Sequence, residues 1–155
     1  MFLDKTKDKM IRALEKVSYT YQELPEVNPG KKFGIYVNIP FCKSKCSFCP
    51  FYKEIYREED LSRDIPILIK EIMDTSITGT PDWIYFGGGT PNLLSVERLK
   101  RVVEALKTKV KLYNLGMEVH PAFLSFDYIQ GLKELGFSKM SMGVESLTSE
   151  VMKRT

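Results

Sequence analysis

Residues 34–52 read GIYVNIPFCKSKCSFCPFY, and this stretch decides the fold. Together with Phe33, its first half is rich in β-branched and aromatic residues and stops at Pro40, which has no N–H to give to a ladder, so residues 33–39 are predicted to form a strand. Cys42, Cys46 and Cys49 follow at once, spaced C-x3-C-x2-C, and they are the only cysteines in the chain. An odd, tightly clustered set makes a poor disulfide framework and a good metal site.

Outward from this stretch the pattern is strand then helix, repeated. Leu61, Ile65, Leu68, Ile69 and Ile72 have helical spacing, with Pro66 placed to start or kink that helix. Residues 82–86 (DWIYF) are predicted as a second strand, ended by Gly87, Gly88 and Gly89. Ser95 suits the N-cap of a helix burying Leu99, Val102, Val103 and Leu106. Residues 116–119 form a short third strand. Ser125 then caps a helix carrying Ile129, Leu132 and Leu135, with Gly136 in the position after its end. Residues 139–144 are predicted as a fourth strand, and a further helix is expected to begin near Thr148.

Toward the N-terminus, residues 4–17 read as a short amphipathic helix with Ile11, Leu14 and Val17 on one side. A polar linker containing Pro25, Pro29 and Gly30 follows. The chain therefore divides into residues 1–32, a helix and linker, and residues 33–155, an α/β core. Strands alternating with helices imply right-handed βαβ units and a parallel sheet, here of about four units. Four units do not close a barrel. The remaining strands are expected in sequence beyond Thr155, or from another chain.

The 155 residues suit one core domain, and 43% of them are hydrophobic. The net charge of +3 is small and its signs are interspersed, so no nucleic-acid footprint is read from it. No run approaches the roughly 20 apolar residues of a membrane span. The N-terminal residues lack the apolar core of a signal peptide, and a cytoplasmic location is the expectation.

The unusual residues all fall just past the C-terminal ends of the predicted strands, where parallel α/β folds build their sites. Thiolates are the usual ligands of iron–sulfur clusters, commonly four to a cluster, so three leave one iron open. Lys43 and Lys45 offset negative charge there, and Phe48 is placed to shield it from water. The rival is zinc, for which His120 is the available fourth ligand. The three glycines let a ligand approach the backbone and offer N–H groups to a carboxylate or phosphate, although a tight turn explains them equally well. Thr90 is a donor or a turn residue. Glu118 suits a pair of hydroxyls, such as a ribose presents, or an ion pair. Tyr36 reads as a core strand residue or a ligand-facing hydroxyl, and Glu145 as a site residue or a partner for a lysine.

Four segments together resemble one family: GIYVNIPFCKSKCSFCPFY (34–52), IYFGGGTPNLLS (84–95), EVHP (118–121) and GFSKMSMGVESL (136–147). They are similar to the radical S-adenosylmethionine (SAM) superfamily, and within it to the oxygen-independent coproporphyrinogen III oxidases and their haem-chaperone and haem-degrading relatives. The resemblance implies the first part of a partial (β/α)6 barrel. It implies a [4Fe–4S] cluster on Cys42, Cys46 and Cys49, whose open iron takes the methionyl group of SAM. Tyr36, Phe48, Gly88, Gly89, Thr90, Glu118 and Glu145 match SAM-contacting positions. It also implies reductive cleavage to a 5′-deoxyadenosyl radical, a porphyrin or haem-related substrate, and an electron donor such as flavodoxin or ferredoxin. Two positions depart from the family pattern. Asn38 stands where the first strand commonly carries histidine, and Glu145 where the last motif commonly carries glutamine. A carboxylate at 145 adds charge and removes an amide donor from a position that helps the porphyrinogen oxidase bind a second SAM.

Overall fold

The structure, a computed structural model, describes residues 32–144, 146–148 and 150. The helix read at residues 4–17, its linker and Glu145 lie outside the described residues, as does nearly all of the helix expected near Thr148.

Four parallel strands form the sheet: β1 (Gly34–Ile39), β4 (Trp83–Gly88), β5 (Leu115–Val119) and β6 (Phe137–Met142), in the order β1-β4-β5-β6. Two short strands, β2 (Phe41–Cys42) and β3 (Glu54–Ile55), pair in parallel beside it. Three helices connect the main strands: α1 (Glu58–Asp74), α2 (Val96–Lys109) and α3 (Phe126–Leu135). Each new strand joins the sheet on the same side as the last. With crossovers of one hand, this puts all three helices on one face and curls the sheet as a barrel wall.

The burial pattern agrees. Val37, Ile39, Ile84, Phe86, Leu115, Met117 and Val119 alternate along their strands and share one core with Leu61, Ile65, Leu99, Val102, Leu106 and Leu132 of the helices. The intervening strand residues, Tyr36, Asn38, Tyr85 and Glu118, face the other way. That second face has no helix on it among the described residues.

Local chemistry explains the element ends. The Ser95 hydroxyl accepts from Arg98 N–H at 3.3 Å, and the Ser125 hydroxyl accepts from Tyr128 N–H at 3.1 Å, each closing a helix start. Gly136 ends α3 in the left-handed region, at φ 97°, as expected. Pro66 does not start α1. That helix begins at Glu58, with Glu58, Glu59 and Asp60 in its first turn against the positive helix end, and Pro66 lies inside it on the solvent side.

All four strands differ from their predicted bounds by one or two residues: β1 starts at Gly34, β5 starts at Leu115, and β4 and β6 shift at both ends, β6 stopping at Met142 instead of residue 144. β4 runs through Gly87 and Gly88, which pair with Asn38 and Ile39 of β1, so the ladder carries the glycines that propensity alone places outside the strand. β6 begins at Phe137 instead of residue 139, because Phe137 goes straight from the turn into the core and packs edge-on against Phe86 at 5.2 Å.

Candidate functional site

The site is built at the C-terminal edge of the sheet, from the backbone outward. The register of β1 and β4 ends at Ile39 and Gly88, but the chains stay together past Pro40. Gly89 N–H donates to Ile39 O at 2.8 Å and Thr90 N–H to Phe41 O at 2.7 Å. The glycine loop and the start of the cysteine loop are thus one continuous ladder. Two glycines are required there. Gly88 has φ 109°, a conformation costly to other residues. A Cβ on Gly89 would lie 2.6 Å from Phe41 O and 2.9 Å from Cys42 Sγ.

The cysteine loop leaves β2 and returns through β3. Glu54 N–H donates to Pro40 O and Tyr56 N–H to Cys42 O, both at 2.8 Å, so both ends of the loop are clamped. Within it, Cys49 N–H donates to Cys46 O at 3.3 Å, and Lys53 Nζ donates to Cys49 O at 2.9 Å. Lys43 sits with its ammonium 4.6 Å from the centre of the Tyr56 ring. All three cysteines are partly buried, and none is in a disulfide. Phe48 stands 47% exposed.

Three further side chains reach this edge. The Thr90 hydroxyl donates to Cys42 Sγ at 3.6 Å. A Glu118 carboxylate oxygen accepts from Gly88 N–H at 3.3 Å, tying the end of β5 to the glycine loop. Tyr36 stacks on Tyr85 with ring centres 6.3 Å apart. Desolvation raises the Tyr36 phenol above its ordinary value, and the charge of Glu118 adds to the rise. Gly89 and Thr90 therefore touch the start of the cysteine loop, Glu118 and Tyr36 lie against the glycines next to it, and Glu145 is not among the described residues.

Asn92 is a component that the sequence did not single out. It is 3% exposed, and its amide donates to His120 O at 2.9 Å while its Oδ1 accepts from His120 N–H at 2.8 Å. An amide side chain here copies a neighbouring strand and holds the end of β5 against the glycine loop. Only its place directly after GGGTP could have drawn attention to it. His120 itself caps the short turn Pro121–Phe123: its Nδ1 accepts from Ala122 N–H at 3.2 Å, and its ring packs on Phe123.

Three thiol side chains on one short loop, with a hydroxyl donating to one of the sulfurs, are a donor set whose chemistry suits an iron–sulfur cluster. The backbone N–H groups of Gly88 and Gly89, read from the sequence as free to bind an anion, are instead taken by Glu118 and by Ile39 O.

Residues 36–155 match the family model described as the Radical SAM superfamily. The chain belongs to the radical SAM superfamily. Members of this superfamily generally use a [4Fe–4S] cluster and SAM. Among curated proteins, it is 31% identical over 152 residues to an anaerobilin synthase of Escherichia coli O157:H7, covering 92% of this chain and 34% of that protein. It is 32% identical over 126 residues to the heme chaperone HemW of Bacillus subtilis, covering 77% of this chain and 33% of that one. It is 31% identical over 136 residues to an oxygen-independent coproporphyrinogen III oxidase of Pseudomonas aeruginosa, covering 80% and 29%. The fold matches the solved coproporphyrinogen III oxidase of Escherichia coli, described as a radical SAM enzyme, with a TM-score of 0.74 at 27% identity. That match covers 81% of this chain and 31% of the oxidase. The chain spans about a third of the length of the curated relatives it matches. No helix among the described residues is long and apolar enough to cross a membrane.

Proposed function

We propose that Cys42, Cys46 and Cys49 hold a [4Fe–4S] cluster and that the residues beside them bind SAM for radical chemistry on a porphyrin or haem-related substrate. The observation that supports this reading best is the joining of three loops at one sheet edge, through Thr90 to Cys42 and through Glu118 to Gly88. When bound, the cluster supplies the electron that cleaves SAM to a 5′-deoxyadenosyl radical, which takes a hydrogen atom from substrate.

This chain's own residues bind and orient. Gly88 and Gly89 let the glycine loop pack against Asn38, Phe41 and Cys42, which sets this edge beside the cysteines where the methionyl group of SAM binds. Glu118 accepts hydroxyl hydrogen bonds from the ribose. Tyr36 and Phe48 offer aromatic surface to the adenosyl part, and Glu145 completes the matched set. Reducing equivalents come from a small donor such as flavodoxin or ferredoxin.

A second reading shares the same site. Asn38 and Glu145 depart from the oxidase pattern, and the similarity to the heme chaperone HemW is as strong as that to the oxidase. In that reading the protein keeps the cluster and transfers haem with little turnover. The family resemblance also leaves a variant of the first reading, a haem-degrading radical SAM methyltransferase.

Anaerobic reconstitution followed by dithionite and SAM separates these readings. The enzymatic reading expects 5′-deoxyadenosine, lost in the Cys42→Ala, Cys46→Ala and Cys49→Ala variants. A loaded cluster that yields no 5′-deoxyadenosine, with tight haem binding, contradicts turnover and favours the chaperone. Zinc without iron or sulfide contradicts both.

A further inference from the structure

Thr90 and Asn92 are the two buried polar residues among those described, and Asn92 has the His120 backbone as its partner. The Thr90 hydroxyl has Cys42 Sγ instead, at 3.6 Å, within hydrogen-bond range for a large, soft acceptor. A buried hydroxyl needs a partner. This one is held in place on both sides: Thr90 N–H donates to Phe41 O at 2.7 Å and Thr90 O accepts from Leu93 N–H at 3.0 Å. Pro91 follows directly and fixes the next backbone angle. Once Cys42 is a metal-bound thiolate it has no proton to give, so the bond runs one way, from hydroxyl to sulfur.

We propose that Thr90 is a positioning residue of the metal centre, whose hydroxyl stabilises negative charge on the Cys42 sulfur and so raises the reduction potential of the cluster. The inference rests on the cluster assignment made under Proposed function. It gives Thr90 a task distinct from contacting SAM, because the hydroxyl proton is already committed to sulfur. Hydrogen bonds to ligand sulfurs are among the means by which proteins set iron–sulfur potentials. The charge on the sulfur grows when the cluster gains an electron, so the donor favours the reduced form.

The test is an EPR-monitored reductive titration of the reconstituted protein without SAM, in wild type, Thr90→Val and Thr90→Ser. Valine has the shape of threonine without the donor. It is expected to lower the potential enough to cut the ratio of reduced to oxidised cluster about tenfold at fixed potential, a shift of about 59 mV. Serine keeps the hydroxyl and should stay near wild type. If Thr90→Val loads no cluster, Thr90→Ala carries the same expectation in a smaller side chain. A valine or alanine variant with wild-type potential overturns the inference alone. A wild-type protein that takes up no cluster overturns the cluster assignment, and the inference with it.

Discussion

Gly89 and Thr90 show how much of the site is decided by single residues. The N–H of Gly89 is in the ladder to Ile39 O at 2.8 Å, and a methyl group there would meet the Phe41 carbonyl, which is backbone and cannot swing aside. Gly89→Ala is expected to force the two loops apart, costing about 1–3 kcal/mol as overpacking does. It should appear as a lower denaturant midpoint together with poorer iron uptake. A wild-type midpoint and wild-type loading would show that the loops are not held in contact. The glycines and cysteines were legible in the sequence because their residue types have few other uses. Asn92 was not, since an asparagine after a proline reads as one more turn residue. Its importance comes from a tertiary contact with His120, which no local pattern encodes.

The elements repeat this division. Periodicity and caps located the four strands and three helices, because each alternates apolar and polar residues with its own period. The errors came where tertiary pairing overrode local preference, as in the glycines of β4 and the early start of β6. The small β2–β3 pair was invisible, as two-residue strands carry no period. Yet this pair closes the cysteine loop, with help from an ion pair between helices. Arg98 of α2 binds Glu58 at the start of α1, and the Tyr56 hydroxyl donates to the same carboxylate at 2.6 Å. Arg98 first, then Tyr56, holds the Glu58 carboxyl below its ordinary value of 4.5. A depressed folded value means that the stabilisation is complete above 4.5 and is lost as pH falls through the lower folded value. Melting temperature should therefore drop in that acid range, and Glu58→Gln should flatten the drop. The Glu58 side of the pair is largely exposed, so the effect is small. An unchanged acid profile in Glu58→Gln would remove this pair from the loop's support.

At the scale of the whole molecule, the helices cover one face of the sheet and leave Tyr36, Asn38, Tyr85 and Glu118 on the other. In a curling parallel sheet that second face becomes the inside of a barrel, and its C-terminal rim is where the cysteine and glycine loops meet. The overall plan was legible from the strand–helix alternation. The choice among porphyrin oxidation, haem transfer and haem degradation was not, because the chain spans about a third of its relatives and Asn38 and Glu145 depart from the oxidase pattern. All three readings need one thing of this edge: a cluster with an iron left free by three thiolates. Mössbauer spectra of the iron-enriched, reconstituted protein, with and without SAM, test that requirement directly. The expected result is about four irons and four sulfides per chain, with one iron site whose signal shifts when SAM is added and none retained once the cysteines are replaced by alanine. A spectrum that SAM leaves unchanged, or iron that stays bound without the three cysteines, would contradict it.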